Sequence, residues 1–321
     1  MGLVEVLRHL PRLLKLRARL RREITQWRPD LYVGVDAPDF NLGLAAKLRR
    51  AGMRAVHYVS PSIWAWRRGR AKSIGAQVDQ VLCLFPFEPA LYHAHSVSAE
   101  FVGHPLADKL APAVDRVAIK RELGLDPERP LLALLPGSRR GEVGRLAEPF
   151  IGGARAFAAD HPQWQVALPV ANAGCAQVLE RSFGADPAIT RLDGRSTELL
   201  AAADMAVVAS GTATLEAALV GVPMLVAYRL APLTYWLVQR FNLLKSRWFS
   251  LPNALADREL VPELAQHEVT AEGLHQALNR LAADTDAQQR QRDGFAALRA
   301  ELGGNAADRA ARAVLKACER A

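Results

Sequence analysis

Residues 131–142 read Leu-Leu-Ala-Leu-Leu-Pro-Gly-Ser-Arg-Arg-Gly-Glu. Leu131–Leu135 predicts a buried strand, and Pro136-Gly137 ends it and hands the chain to a helix. Gly137 permits close backbone approach. Ser138 and the amides after it are placed to face an anion at the helix N-terminus, and Arg139 adds a fixed charge able to grip phosphate oxygens in a bidentate way. The segment is not a Walker loop, because the Lys-Ser/Thr pair that closes one is absent. Read alone, it fits a plain strand-to-helix turn with solvent-facing arginines equally well.

A second junction of this kind lies further on. Met205–Ala209 predicts a strand, and Ser210-Gly211-Thr212-Ala213-Thr214-Leu215-Glu216 opens a helix whose free N–H groups favour negative charge. Glu216 falls one turn into that helix, where a carboxylate suits either ribose hydroxyls or the helix dipole. Gln165–Val170 and Met224–Tyr228 predict further strands, so strands and helices alternate, the pattern of a parallel sheet. The first half does likewise, with strands at Leu31–Val35, Arg54–Val59 and within Gln77–Phe85, and a helix over Leu42–Ala51. Between the two series, His104-Pro105, Pro112 and Pro130 bracket a polar stretch, residues 104–128, with little apolar periodicity. The division predicted is two α/β domains, residues 1–110 and 111–321, the second with a helical, Ala-rich tail. Open parallel sheets bind ligands beyond the carboxyl ends of their strands, and the residues of interest sit at strand ends in both halves.

Composition narrows the class. The chain has 321 residues, half of them hydrophobic and 23% charged, which excludes disorder and collagen-like or coiled-coil sequence. Cys83, Cys175 and Cys318 give neither a disulfide framework nor a zinc motif and suit a reducing compartment. No apolar run is long enough to predict a membrane span, and arginines interrupt every apolar stretch near the N-terminus. His57 and His104 belong to no metal-ligand spacing, and no Gly-x-Ser-x-Gly elbow is present. Net charge is +8, yet residues 1–72 carry 16 Lys and Arg against 5 Asp and Glu, and the rest is slightly acidic. Nucleic acid, an anionic membrane surface or a phosphorylated ligand would each account for that excess. Leu13, Leu16, Leu20, Ile24 and Trp27 recur at helical spacing, with Arg12, Lys15, Arg19 and Arg22 on another face. They predict an amphipathic helix starting near Pro11, packed on a sheet with its basic back in solvent or against anionic headgroups.

Gly34-Val35-Asp36-Ala37-Pro38-Asp39-Phe40-Asn41 supplies the acid–base candidate. Asp36 ends a strand expected to be buried, where desolvation would raise its pKa and make it a base. Asp39 or Asn41 is expected to cap the following helix. Ser60-Pro61-Ser62-Ile63-Trp64-Ala65-Trp66-Arg67-Arg68 mixes aromatics with cations, as does Pro232–Phe249. Such stretches fit a membrane interface, a sugar or lipid headgroup, stacked bases, or core aromatics with a solvated rim.

Together these strings, with His57-Tyr58-Val59-Ser60 and Ser250-Leu251-Pro252-Asn253, resemble the lipid-A-disaccharide synthase family along essentially the whole chain. The resemblance implies GT-B architecture, two Rossmann-like domains with parallel sheets facing a cleft. It implies an inverting glycosyltransferase that joins UDP-2,3-diacylglucosamine to 2,3-diacylglucosamine 1-phosphate through a β(1→6) linkage and releases UDP, with no metal or cofactor. By the resemblance, Asp36 is the general base, Arg139 serves the donor diphosphate, and Asn253 is a third catalytic residue. Gly137, Ser138, Arg139, Ser210, Gly211, Thr212 and Glu216 hold UDP, and Ser60, Trp64, Trp66 and Arg67 lie on the acceptor and lipid side. It implies a cytoplasmic protein attached peripherally to the anionic inner membrane of a Gram-negative bacterium, binding no nucleic acid, with a homodimer left open. The family pattern starts with a further strand, a Gly-rich loop and a helix that this sequence lacks, so a neighbouring strand edge is expected to be exposed. The alternatives are a UDP-sugar epimerase-type enzyme of the same fold and a truncated membrane-associated protein impaired in catalysis.

Overall fold

The computed structural model describes residues 3–66, 69–110, 115–184, 186, 188–240 and 247–319. They form two units, one of residues 3–108 and 301–319, the other of 109–240 and 247–300. In the first, α1 (Leu3–Trp27) leads into β1 (Leu31–Val35), α2 (Pro38–Arg50), β2 (Arg54–Tyr58), α3 (Ile63–Trp66), α4 (Arg70–Gly75), β3 (Gln80–Cys83), α5 (Glu88–His93), β4 (Ala99–Phe101) and α6 (Pro105–Lys109). The strands make one parallel sheet in the order β1-β2-β3-β4. Successive strand residues face opposite ways, so Ala55 and Val81 pack on Leu42 and Ala45 of α2 and on Ile74 of α4, while Val56 and Leu82 face the other side.

Two expectations change here. β1 is not buried as its apolar run suggested, but it does stand at the sheet edge, where an exposed strand edge was expected. Among the described residues only β2 pairs with it, and Val33 and Val35 are exposed, Val35 by 57%. α1 starts at Leu3 and carries Pro11 inside it, accommodating a residue that forgoes one backbone bond. Its Leu10, Leu13, Leu14 and Leu16 are exposed and Trp27 is 78% exposed, while Leu20 and Ile24 are half-buried where the helix meets α2. Packing therefore covers only part of the apolar stripe.

The second unit runs α7 (Arg116–Glu122), β5 (Leu131–Leu135), α8 (Arg140–Asp160), β6 (Gln165–Val170), α9 (Ala173–Phe183), β7 (Ile189–Asp193), α10 (Ser196–Ala202), β8 (Met205–Ala209), α11 (Thr212–Val220), β9 (Met224–Tyr228), α12 (Pro232–Arg240), α13 (Leu251–Ala256), β10 (Glu263–Ala265), α14 (Ala271–Ala283) and α15 (Thr285–Leu302). Its sheet is parallel, in the order β10-β9-β8-β5-β6-β7. The chain winds outward from β5 in one direction and resumes at β8 on the other side, which puts the topological switch point between β5 and β8. Every residue of both strands is buried, because helices cover both faces. The polar stretch after residue 104 holds α6 and α7. Lys120 of α7 is buried and bonds Asp204 (3.1 Å) and the Arg129 carbonyl (2.8 Å), and Asp204 also accepts the Leu131 N–H (2.9 Å) at the head of β5. β4, β7 and β10, absent from the sequence reading, are short or polar and stand at sheet margins, where little apolar pattern is required.

The last helix, α16 (Ala306–Glu319), corrects the expected division. It belongs to the first unit, not to the tail of the second. Ala313 and Ala317 pack on Val56, Leu82 and Val102, covering the sheet face opposite α2, and Arg54 donates to the Ala317 carbonyl (2.8 Å). The Asp108 carboxylate accepts the N–H groups of Gly304, Asn305 and Ala306 at the helix start. Burial pulls this carboxyl upward, but those three N–H groups and Arg309 outweigh it and hold it below the usual range.

Candidate active site

The ends of β5 and β8 sit side by side, and each releases the chain into a helix. Gly137, Ser138 and Arg139 from the first junction and Ser210, Gly211, Thr212 and Glu216 from the second line a single cavity of about 410 Å³. Gly137 (φ +117°) and Gly211 (φ +149°) adopt backbone that side chains disfavour, which brings both turns in tightly. Thr212 and Ala213 occupy the first turn of α11, where N–H groups precede the intrahelical ladder and remain free to meet an anion. Glu216 is half-buried on the same wall, and burial pushes its carboxyl up.

Two details depart from the sequence reading. Ser210 spends its hydroxyl proton on the Phe249 carbonyl (2.6 Å) and its N–H on Ala227, so it shapes the cavity rather than donating into it. Arg139, its side chain 69% exposed, is paired with Glu142 (2.7 Å). The turn after β7 also lines the cavity, through Gly194 (φ +64°) and Ser196. No apolar run marks this turn in the sequence, because β7 is half polar. Asn172, the cap of α9, donates to the Ser138 carbonyl (2.9 Å) and braces the first junction.

Asn253, expected as a catalytic residue, is fully buried, and its amide is fully used. Nδ2 donates to the Val261 carbonyl (2.9 Å) and to Glu263 (2.9 Å), and Oδ1 accepts from Leu260 (2.7 Å) and Val261 (2.8 Å). The same Glu263 carboxylate accepts the Ser250 N–H and hydroxyl and the Phe249 N–H. Ser250–Asn253 is therefore a brace. It fixes the Phe249 carbonyl that holds Ser210 at the cavity wall.

In the first unit, Asp36 is exposed, so the burial on which its expected role rested is absent. It follows β1 in a strained turn: Asp36 (φ +50°) and Ala37 (φ +40°) are both left-handed without being glycine. Neither Asp39 nor Asn41 caps α2. Asp39 is exposed in its first turn, 3.6 Å from Arg70, while Asn41 donates to the carbonyls of Val35 (2.9 Å) and Asp36 (2.8 Å) and accepts from the Tyr32 hydroxyl (2.9 Å). Asn41 thus locks the turn that presents Asp36.

A second cavity, about 420 Å³, is lined by Asp36, Val59, Ser60, Pro61 and Arg70 among others. Val59 is strained too, β-branched at φ +79°. Behind it, buried Ser60 bonds the buried Tyr92 hydroxyl (2.9 Å), and buried Glu88 accepts the N–H groups of Leu84 (3.1 Å) and Phe85 (3.0 Å). Burial raises the Glu88 carboxyl to about 7 against the opposing N–H of Phe85, the Ser60 hydroxyl and the N–H of Leu84. Trp64 packs edge-on against Phe87 at 5.6 Å, as a half-buried structural aromatic. Trp66 ends α3; its side chain and the whole of Arg67 lie outside the described residues.

The doubly wound second sheet, with a cavity at its switch point, defines the class by fold: the GT-B architecture that glycosyltransferases and UDP-sugar epimerases share. The structure matches a UDP-GlcNAc 2-epimerase from Neisseria meningitidis bound to UDP-GlcNAc (TM-score 0.67, 11% identity, 95% of this chain and 81% of that one). It also matches the glycotransferase of kitacinnamycin (TM-score 0.61, 16% identity, 99% and 83%). Sequence separates what the fold shares. The family model for LpxB, lipid-A-disaccharide synthetase, matches residues 1–317. The chain is 48% identical to the lipid-A-disaccharide synthase of Xanthomonas campestris pv. campestris over 318 residues, 98% of this chain and 73% of that protein. It is 49% identical to that of Pseudomonas entomophila over 316 residues, 98% and 83%. The chain belongs to the lipid-A-disaccharide synthase family, and the epimerase alternative is not favoured.

Asn253→Ala is expected to destabilise the second unit by roughly 3 kcal/mol by leaving buried amides unpaired, read as a lower Tm. Glu88 takes up a proton more readily folded than unfolded, so its contribution to stability falls as pH rises from about 4.5 to about 7. His57 and His104, held by burial near 4, act in the opposite sense but are unchanged by Glu88→Gln. Hydrogen exchange of β2 and β3 between pH 5 and pH 8 is therefore expected to show protection in the wild type falling relative to the variant. Parallel profiles would exclude the shift.

Proposed function

We propose that the protein transfers the sugar of UDP-2,3-diacylglucosamine to 2,3-diacylglucosamine 1-phosphate, forming the β(1→6) disaccharide 1-phosphate and UDP. One observation carries this reading: two strand-to-helix junctions and an arginine converge on one cavity, in a chain nearly half identical to lipid-A-disaccharide synthases. The diphosphate of the donor lies against Arg139 and the first-turn amides of α11, and Glu216 accepts from the ribose hydroxyls. Asp36, in its braced turn, takes the proton of the acceptor 6-hydroxyl. The oxygen forms its bond to the donor C1 on the face opposite the phosphate, the C1–O bond breaks, and the electron pair leaves with UDP. Exposed Asp36 relies on positioning by Asn41 and Tyr32, not on desolvation. Arg139 offsets the charge that gathers on the leaving phosphate. Ser60 shapes the wall beside Asp36 on the acceptor side.

Both substrates are lipids, and no helix among the described residues is long and apolar enough to cross a membrane. We assign the membrane contact to α1. Its uncovered Leu10, Leu13, Leu14 and Leu16, beside Arg12, Lys15, Arg19 and Arg22, suit shallow insertion into an anionic surface.

With both diacylated substrates supplied, Asp36→Asn is expected to slow UDP release on the order of 10²- to 10⁴-fold while leaving UDP binding intact. Equal rates would remove Asp36 from the chemistry. In flotation assays the protein is expected to follow anionic vesicles and to release as salt rises; flotation indifferent to anionic lipid would reject the assignment to α1.

A further inference from the structure

The donors of the first junction are already in use. Glu142, one turn into α8, reaches back so that Oε1 accepts from Arg139 Nη1 at 2.7 Å, while Oε2 lies 3.4 Å from the Ser138 N–H and 3.3 Å from the Arg139 N–H. Its side chain is 19% exposed and lines the cavity. Gly137 is what lets it in: a Cβ there would stand 2.8 Å from the Glu142 Cβ and 2.9 Å from Oε2. Two backbone amides and a guanidinium thus converge on one carboxylate, the donor set that a phosphate group would use.

We propose that Glu142 is an internal anion that keeps this cradle ordered while it is empty and must leave it when a nucleotide diphosphate enters. The inference rests on reading the cavity as the donor site. Each of the two amide N–H groups can serve only one anion well, and a phosphate brought against the same amides and guanidinium would be repelled by the carboxylate already there. The long amide contacts make the carboxylate easy to dislodge; the short ion pair to Arg139 is the contact that holds it. Glu142 therefore sets donor affinity by competition. It confers order on the free protein and weakens the hold on UDP after transfer, which favours product release.

The test measures UDP and uridine binding by calorimetry, with thermal melting, for the wild type, Glu142→Gln, Glu142→Ala and Arg139→Ala. Both Glu142 variants are expected to bind UDP about tenfold more tightly, as removal of one like-charge contact implies. Uridine, which lacks phosphate, is expected to show no gain, and the ligand-free Glu142→Ala protein to melt earlier. Unchanged or weaker UDP binding in both Glu142 variants, with Arg139→Ala weakened, would overturn the competition and leave the donor site standing. UDP binding to the wild type that is absent, or indifferent to Arg139→Ala, would overturn the site reading and the competition with it.

Discussion

Strand β5 hydrogen-bonds to β6 on one side and to β8 on the other, and all of its residues are buried. Parallel strands cannot be joined by tight turns, so each must deliver its chain into a crossover helix at the same end of the sheet. Where the winding reverses, two such crossovers leave in opposite directions and open a crevice between their starts. The cavity lined by Gly137, Arg139, Gly211 and Glu216 is that crevice. Its amides point the right way for an anion because helix geometry leaves first-turn N–H groups unpaired. The rest of the second unit stabilises this placement: Asn172 braces the first junction, and the chain from Glu263 through Phe249 to Ser210 braces the second.

Buried or half-buried carboxylates recur as organisers of loops. Glu263 gathers Phe249, Ser250 and Asn253; Glu88 gathers Leu84 and Phe85; Glu142 gathers Ser138 and Arg139. In each case carboxyl oxygens satisfy backbone N–H donors that no strand or helix would otherwise pair. The three differ in what they hold. Both oxygens of Glu263 accept from the loop it holds. Glu88 is buried enough that its proton returns near neutral pH. Glu142 borders an open cavity, so an entering anion competes for its donors.

The first unit presents Asp36 by strain rather than by burial. Two successive non-glycine residues in left-handed backbone cost stability, and Asn41 with Tyr32 supplies the hydrogen bonds that offset it. Val59, strained in the same cavity, stands next to Ser60 and its bond to buried Tyr92. The positions that local preference disfavours thus cluster around Asp36 in one cavity.

From the sequence alone, the alternation of apolar runs with helical segments determined two parallel α/β units. The small and cationic residues after β5 and β8 marked both junctions, because burial on two faces and helix starts each require a local pattern. The margins were not legible. β4, β7 and β10 carry no such pattern, and with β7 unread the Gly194 turn stayed hidden. Tertiary structure alone decided that α16 returns to the first sheet, since an amphipathic helix does not encode which face it covers. It also decided that Asp36 is exposed and Asn253 enclosed. Whether a polar side chain is exposed or enclosed depends on what the fold brings against it: among the described residues β2 alone beside β1, but the backbone of Leu260 and Val261 and the Glu263 carboxylate around Asn253.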